Sequence, residues 1–168
     1  MKKNHCLTAL LTVLSFSVYA QQPVIPKKFP TAYGEFTFPL GSKILLELKA
    51  VDSVKFEYRV LSIEPIEELY SFNKNEDLFS KTKQENTIEL FFMPAYRNEG
   101  KEDKDYKTLL MLRNNLVMRL NYKADIKYYY TDKFQNTSII GTSPGGRTQE
   151  IWPQKIDLIT LYNFEKDH

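Results

Sequence analysis

One cysteine, two histidines and one tryptophan are spread over 168 residues, and their positions matter more than their number. Cys6 and His5 fall within the first twenty residues, and the other histidine, His168, ends the chain. That opening stretch has the layout of a secretory signal peptide. Lys2 and Lys3 make a basic start, Leu7 to Val18 is an apolar run, and Val18 and Ala20 put small residues where a signal peptidase reads. Cleavage after Ala20 would leave a chain without cysteine and with histidine at its last position alone. A thiol nucleophile, a thiolate metal site and a disulfide are then excluded. So are a Ser-His-Asp triad and imidazole acid–base chemistry. Zinc and copper lose their usual ligands, and no cofactor is expected.

Excess charge is also missing. With the leader's two lysines set aside, 21 basic side chains face 21 acidic ones, interspersed along the chain. A nucleic-acid partner would demand a basic face, so none is expected. Long apolar runs are absent too. The leader's own run falls short of the roughly 20 residues a spanning helix needs, and no later segment approaches it. Cys6 precedes the apolar run, whereas a lipidated cysteine would follow it, so the expected product is a soluble periplasmic protein without membrane insertion. A domain of about 150 residues buries roughly 70% of its unfolded surface, enough for one ordinary core. The reading is a leader over residues 1–20, an extended proline-rich segment over 21–31, and one domain over 32–168.

Within that domain the prevailing pattern is alternation with period two, the mark of half-buried strands. Phe36, Phe38 and Leu40 share a face, as do Ile44, Leu46 and Leu48, and then Val54, Phe56, Tyr58 and Val60. The period changes at Pro65, where Ile66, Leu69 and Tyr70 fit one or two helical turns. Asn73 to Thr87 reads as a polar connection around Leu78-Phe79, and Ile88 to Met93 as a strand stopped by Pro94. Tyr106 to Arg113 and Leu116 to Lys123, joined by Asn114-Asn115, read as a β-hairpin, with Ala124 to Thr131 continuing a meander. Asp132 to Pro153 reads as a long loop. Lys155 to Phe164 is apolar on both faces, as a central strand would be. Together these predict an all-β, antiparallel β-sandwich of about eight strands, or alternatively a small β-barrel, with at most one short helix.

Three motifs tempt a catalytic or metal reading. Gly141 to Thr148 (GTSPGGRT) imitates a phosphate loop with arginine in place of lysine, but Pro153 would stop the helix that such a loop needs behind it. Its milder reading is that Arg147 and nearby amides hold a partner's carboxylate. Asn73, Asn75 and Asp77 begin like a calcium loop, yet Leu78 and Gln84 stand where glycine and glutamate belong. Glu64, Glu67 and Glu68, and Glu99, Glu102, Asp103 and Asp105, could supply acid–base groups, but as local surface runs they read as solvated charge. Asn136-Thr-Ser fits a glycosylation pattern by chance, since the leader looks bacterial.

Aromatic side chains are the positive feature. Past the leader come ten tyrosines, ten phenylalanines and Trp152. Tyr128, Tyr129 and Tyr130 are consecutive, so on a strand the middle ring must face away from its neighbours. Tyrosine is an amphipathic contact residue enriched at interfaces, although aromatics are also ordinary strand formers.

From Asn115 to Phe164 the chain runs as LNYKADI, a lysine-aromatic segment, NTSIIGTSPGG and EIWPQKIDLITLYNF. This order resembles the C-terminal half of uncharacterised periplasmic proteins of Gram-negative bacteria, some encoded beside type VI secretion clusters. The likeness rests on Asn136-Thr-Ser, Gly141, Glu150, Trp152-Pro153 and Leu161 to Phe164. It implies an accessory or immunity-type protein acting by contact with a protein in the periplasm, and it carries no catalytic residue.

The expectation is therefore a non-catalytic periplasmic protein-binding module. Tyr122, Tyr128, Tyr129, Tyr130, Arg147 and Trp152 are its candidate contacts. An accessory or localisation factor of an envelope machine is the first form of that reading, and an immunity protein inhibiting a toxin is the second. A carboxylate-dependent cell-wall or glycan hydrolase and a small-ligand carrier are the rivals from other classes. Oligomeric state is left open.

Overall fold

The computed structural model describes residues 26–74, 76–98 and 102–167. The expected leader, the five residues after it, Asn75, Glu99 and His168 lie outside them. The strands are β1 (Phe36–Pro39), β2 (Ser42–Ala50), β3 (Lys55–Pro65), β4 (Tyr70–Ser71), β5 (Thr87–Tyr96), β6 (Lys107–Asn114), β7 (Leu120–Tyr128), β8 (Gln135–Thr137), β9 (Arg147–Trp152) and β10 (Ile156–Lys166). A three-residue 3-10 turn, Asp103–Asp105, precedes β6. The strands form one sheet in the order β8-β7-β10-β3-β2-β5-β6-β9, with β1 added to β10 and β4 to β5. Every pairing is antiparallel except that of β4 with β5. The sheet curls into a half-barrel. The all-β antiparallel expectation thus holds, in a form that fits its barrel alternative.

The alternation read from the sequence points inward as expected. Ile44, Leu46 and Leu48 of β2, Tyr58 and Val60 of β3, and Ile159 and Leu161 of β10 fill the concave side, with Phe38 from β1. β5 and β6 are buried on both faces. Ile88, Leu90 and Phe92 meet Leu110 and Leu112 inside. Phe91, Met93, Ala95, Leu109 and Met111 form a second cluster on the convex side, covered by Tyr70 and Phe79 of the 66–86 connection. Phe79 meets Phe91 edge-on at 5.2 Å. The connection is thus a strap over the sheet.

β10 pairs with β7 along one edge, while its other edge is shared. Phe36–Pro39 takes the first part, and Phe56 and Lys55 of β3 take Phe164 and Glu165. Where β3 diverges from β10, residues 31–38 fill the gap. Thr31 and Gly34 donate backbone N–H groups to the carbonyls of Val60 and Tyr58. The Tyr58 hydroxyl accepts from the Phe36 amide at 2.7 Å and donates to the Leu161 carbonyl at 2.8 Å, joining three strands. Burial pushes this phenol far above the ordinary tyrosine range. Asn163, with φ of 51°, lies where the β10–β7 register shifts, as a bulge requires.

Several local expectations are corrected. Ile66 to Leu69 is not helical. Tyr70 joins β4 and is buried, whereas Leu69 is exposed, because so short a segment gains more from the sheet edge than from an isolated turn. Pro94 does not end its strand. It pairs with Thr108 at a point where β2 has ended and β4 has not begun, so its missing N–H leaves no ladder broken on that side. β6 and β7 do not form a hairpin: β6 lies between β5 and β9, and β7 between β10 and β8. Asn114 instead shapes a crossing loop. Its side chain accepts from the Leu116 amide at 2.8 Å and donates to the Met118 carbonyl at 2.8 Å. Finally, residues 132–153 contain β8 and β9 rather than one long loop.

The two flanks of the half-barrel are laced together. Trp152 of β9 donates its indole N–H to Thr137 of β8 at 3.2 Å. The Ile140 amide donates to the Glu150 carboxylate at 2.7 Å, and Leu120 bridges Thr142. Gly141 sits inside this seam, where an added Cβ would lie 2.9 Å from the Leu120 carbonyl oxygen.

Candidate functional site

β7 ends at Tyr128, and the next two tyrosines lie in the turn that follows. The Thr131 amide closes that turn on the Tyr128 carbonyl at 3.2 Å. Exposure of Tyr129 and Tyr130 therefore comes from termination of the strand, not from alternation along it. They are 60% and 59% exposed, while Tyr128 is half-buried. Tyr128 and Tyr130 stack at 5.4 Å with their planes 8° apart, and Tyr129 meets Tyr130 edge-on at 5.1 Å. The Tyr130 hydroxyl donates to Gln154 Oε1 at 3.0 Å. The outcrop is thus held in one arrangement from below and from the side.

A cleft of about 370 Å³ opens beside it, lined by Tyr106, Tyr129, Pro153, Gln154 and Lys155. Thr108 fixes its wall. Its hydroxyl donates to the Gln154 carbonyl at 2.8 Å and accepts from the Ile156 amide at 3.0 Å, setting the turn between β9 and β10. Tyr106 packs edge-on against Tyr96 at 5.1 Å. Burial is the main cause that pushes its phenol up to about 12. Lys155 pairs with Asp157 at 3.4 Å, half exposed, and keeps a charged head at the rim.

The remaining candidates do not join this face. Tyr122 is a core residue, stacked on Phe164 at 5.3 Å, with its phenol pushed well above the usual range by burial. Its place was legible: Leu120, Tyr122, Ala124 and Ile126 alternate with Asn121, Lys123 and Asp125, and the first set is inside. Trp152 is 8% exposed and closes the seam, so neither ring is offered to a partner. Arg147 lies at the far end of β9, about 17 Å of strand from Trp152. Its guanidinium is over the Phe79 ring at 5.0 Å and pairs with Asp77 at 2.9 Å. That hydrogen bond is the chief cause holding the Asp77 carboxyl below the ordinary range. Arg147 thus already grips a carboxylate, one from its own chain, and clamps the strap.

The phosphate-loop imitation ends in a strand. β9 begins at Arg147, and Gly145, at φ of 64°, with Gly146 bonded back to Ser143, makes a tight turn. Asn73 donates to the Arg97 carbonyl at 2.6 Å and serves as a loop clip. Glu64, Glu67 and Glu68 are exposed, and among the described residues no group of three His, Cys, Asp or Glu side chains could hold a metal ion. Reading the sequence missed Tyr106, Gln154 and Lys155, which reach the tyrosines through the fold. The turn signal Pro153-Gln154 was the one local hint.

No protein-family model, no curated protein and no solved structure matches the chain. No helix among the described residues is long and apolar enough to cross a membrane.

Proposed function

We propose that this protein is a non-catalytic binding module of the periplasm that docks a protein partner through the Tyr128–Tyr130 outcrop and the adjoining cleft. The observation that carries this is two exposed tyrosine rings fixed by Tyr128 and Gln154 beside a polar-rimmed cleft. Rigid aromatic side chains give large contact area at small entropic cost, and such anchors dominate interfaces when a pocket adjoins them. The periplasmic setting rests on the leader-like opening. The role as an accessory of an envelope machine such as type VI secretion rests on the resemblance of residues 115–164.

A hydrolase would need carboxylates facing each other across a cleft. The buried carboxylate Glu89 is instead held by Arg113 at 2.6 Å. A carrier would need an apolar lumen, and Phe38, Leu46, Leu90, Phe92 and Phe164 occupy that side.

Affinity capture from envelope extract tests the reading, with the chain from Gln21 as bait beside its Tyr129→Ser/Tyr130→Ser variant. One protein retained by the parent and lost from an equally stable variant is expected. Equal recovery by both baits would overturn the tyrosine face, and a captured hydrolase would identify the immunity form.

A further inference from the structure

A rung of four polar side chains crosses β1, β10, β7 and β8. Thr37 stands opposite Thr160, Thr160 opposite Asp125, and Asp125 opposite Asn136. Their neighbours along the strands, Phe38, Ile159, Leu161, Ala124 and Ile126, enter the core, so the rung points away from it. Three strand spacings make it roughly 14 Å long. The strap packs on β5 and β6, in the other half of the sheet. An open groove of about 600 Å³ runs beside the rung, and Lys123, Asp125, Asn136, Ser138 and Tyr162 line it.

The groove end of the rung is locked. Asp125 Oδ1 accepts from the Tyr162 hydroxyl at 3.0 Å and from Asn136 Nδ2 at 3.1 Å. Asn136 Nδ2 also lies 3.2 Å from the Ala124 carbonyl oxygen and from the Tyr162 hydroxyl oxygen. Three acceptors around one amide nitrogen set its orientation, with nitrogen inward and Oδ1 outward. Asp125 Oδ2 and Asn136 Oδ1 accept no hydrogen bond from the described residues. Both are within reach of solvent: Asn136 is exposed, and Asp125 is half-buried with no buried orphan oxygen. At the other end Thr37 and Thr160 share one hydrogen bond at 2.6 Å, which leaves one hydroxyl proton to donate.

The rung thus offers two accessible acceptors and a donor, with the Tyr162 ring beside them. Side chains already held in place lose little entropy on binding. Sugar hydroxyls donate to carboxylate and amide oxygens and accept from a hydroxyl, while the C–H face of a sugar packs on an aromatic ring. A ligand carboxylate would be repelled by Asp125. An open groove also admits a chain, where a closed pocket would enclose one ring.

We infer that this face is a binding site for an uncharged glycan chain, with Asp125 Oδ2 and Asn136 Oδ1 taking its hydroxyl protons and Tyr162 supporting a ring. It is independent of the Tyr128–Tyr130 outcrop.

Amide NMR titration of the isotope-labelled chain from Gln21 tests this. The probes are maltotetraose, cellotetraose, chitotetraose and laminaritetraose, with glucose and N-acetylglucosamine as single-ring controls and tetragalacturonate as the charged control. Saturable shifts with at least one neutral tetrasaccharide are expected, centred on residues 123–125, 136–138 and 160–162. The matching single sugar and the charged chain should bind at least tenfold more weakly. Asn136→Ala, at an exposed side chain, should raise the Kd at least tenfold. Asp125→Asn, which keeps an acceptor for Tyr162, should raise it at least fivefold. Tyr129→Ala should leave it unchanged. Thermal melting checks that each variant is folded, and the shift map of the parent chain needs no variant. Absence of saturable shifts across the panel would overturn the inference. So would shifts centred on the Tyr128–Tyr130 outcrop, affinity that survives both groove variants, or a single sugar that binds as tightly as its chain.

Discussion

Glu89 on β5 and Arg113 on β6 stand directly opposite each other, with carboxylate and guanidinium 2.6 Å apart beneath the strap. The Ser80 amide donates to the same carboxylate at 3.3 Å, and the Ser80 carbonyl receives Arg113. The guanidinium also lies 5.3 Å from the Phe79 ring. One ion pair therefore fastens the strap to two strands.

Arg113→Met should destabilise the fold by about 3–5 kcal/mol, because Glu89 would remain buried without a counter-charge. Replacing both, as Glu89→Leu/Arg113→Met, should recover most of that loss. Urea unfolding of the three chains measures it. A double variant as unstable as the single one would show that Arg113 acts through its Ser80 and Phe79 contacts.

Trp152→Ala should cost about 3–5 kcal/mol by opening a cavity at the seam. Hydrogen exchange should rise first at β8 and β9, while β2 and β3 keep their protection. Uniform loss of protection would mean that the flanks are not separable from the rest of the sheet.

Gly141→Ala should destabilise by about 1–3 kcal/mol through overpacking. The new methyl would meet the Asn121 side chain, which donates to Asp167 at 3.0 Å, and the Leu120 carbonyl, which is already bonded to Thr142. Thermal melting of this variant beside Gly34→Ala, where the nearest atoms are 3.9 Å away, isolates the steric effect.

Acid should loosen the molecule in a defined window. The Glu47 carboxyl is held low first by its hydrogen bond to Arg59 and further by Tyr33, and Asp77 is held low first by Arg147. Because each folded value lies below the unfolded one, the stabilisation is complete above the ordinary carboxylate range. It is lost as pH falls through the folded values. The urea midpoint should hold steady from neutral pH to about 5 and decline below about 4. Asp77→Asn and Glu47→Gln should each flatten that decline, and an unchanged acid limb in both would refute the assignment.

What the sequence disclosed followed from burial on one face. β2, β3 and the central place of β10 were legible because alternation or two-sided apolarity marks them directly. The β6–β7 hairpin was misread because Asn114-Asn115 offers sound turn chemistry, while the choice of strand partner depends on area buried far away. β6 needs cover on both faces for Leu109 and Met111 as well as Leu110 and Leu112. β7, with one solvated face, cannot provide it. Of the candidate site, the tyrosine run was visible. The ring placements were not, since they depend on where β7 stops and on the β9–β10 turn arriving beside it.

The pairing of β1 with β10 carries a consequence for biogenesis. Phe36 and Leu161 are neighbours in the sheet, so the gap beside β3 cannot close until nearly the whole chain has emerged from the ribosome. A nascent chain denied its final strand stays unsealed along that line. The same topology leaves closure of the sheet to the last stage of synthesis.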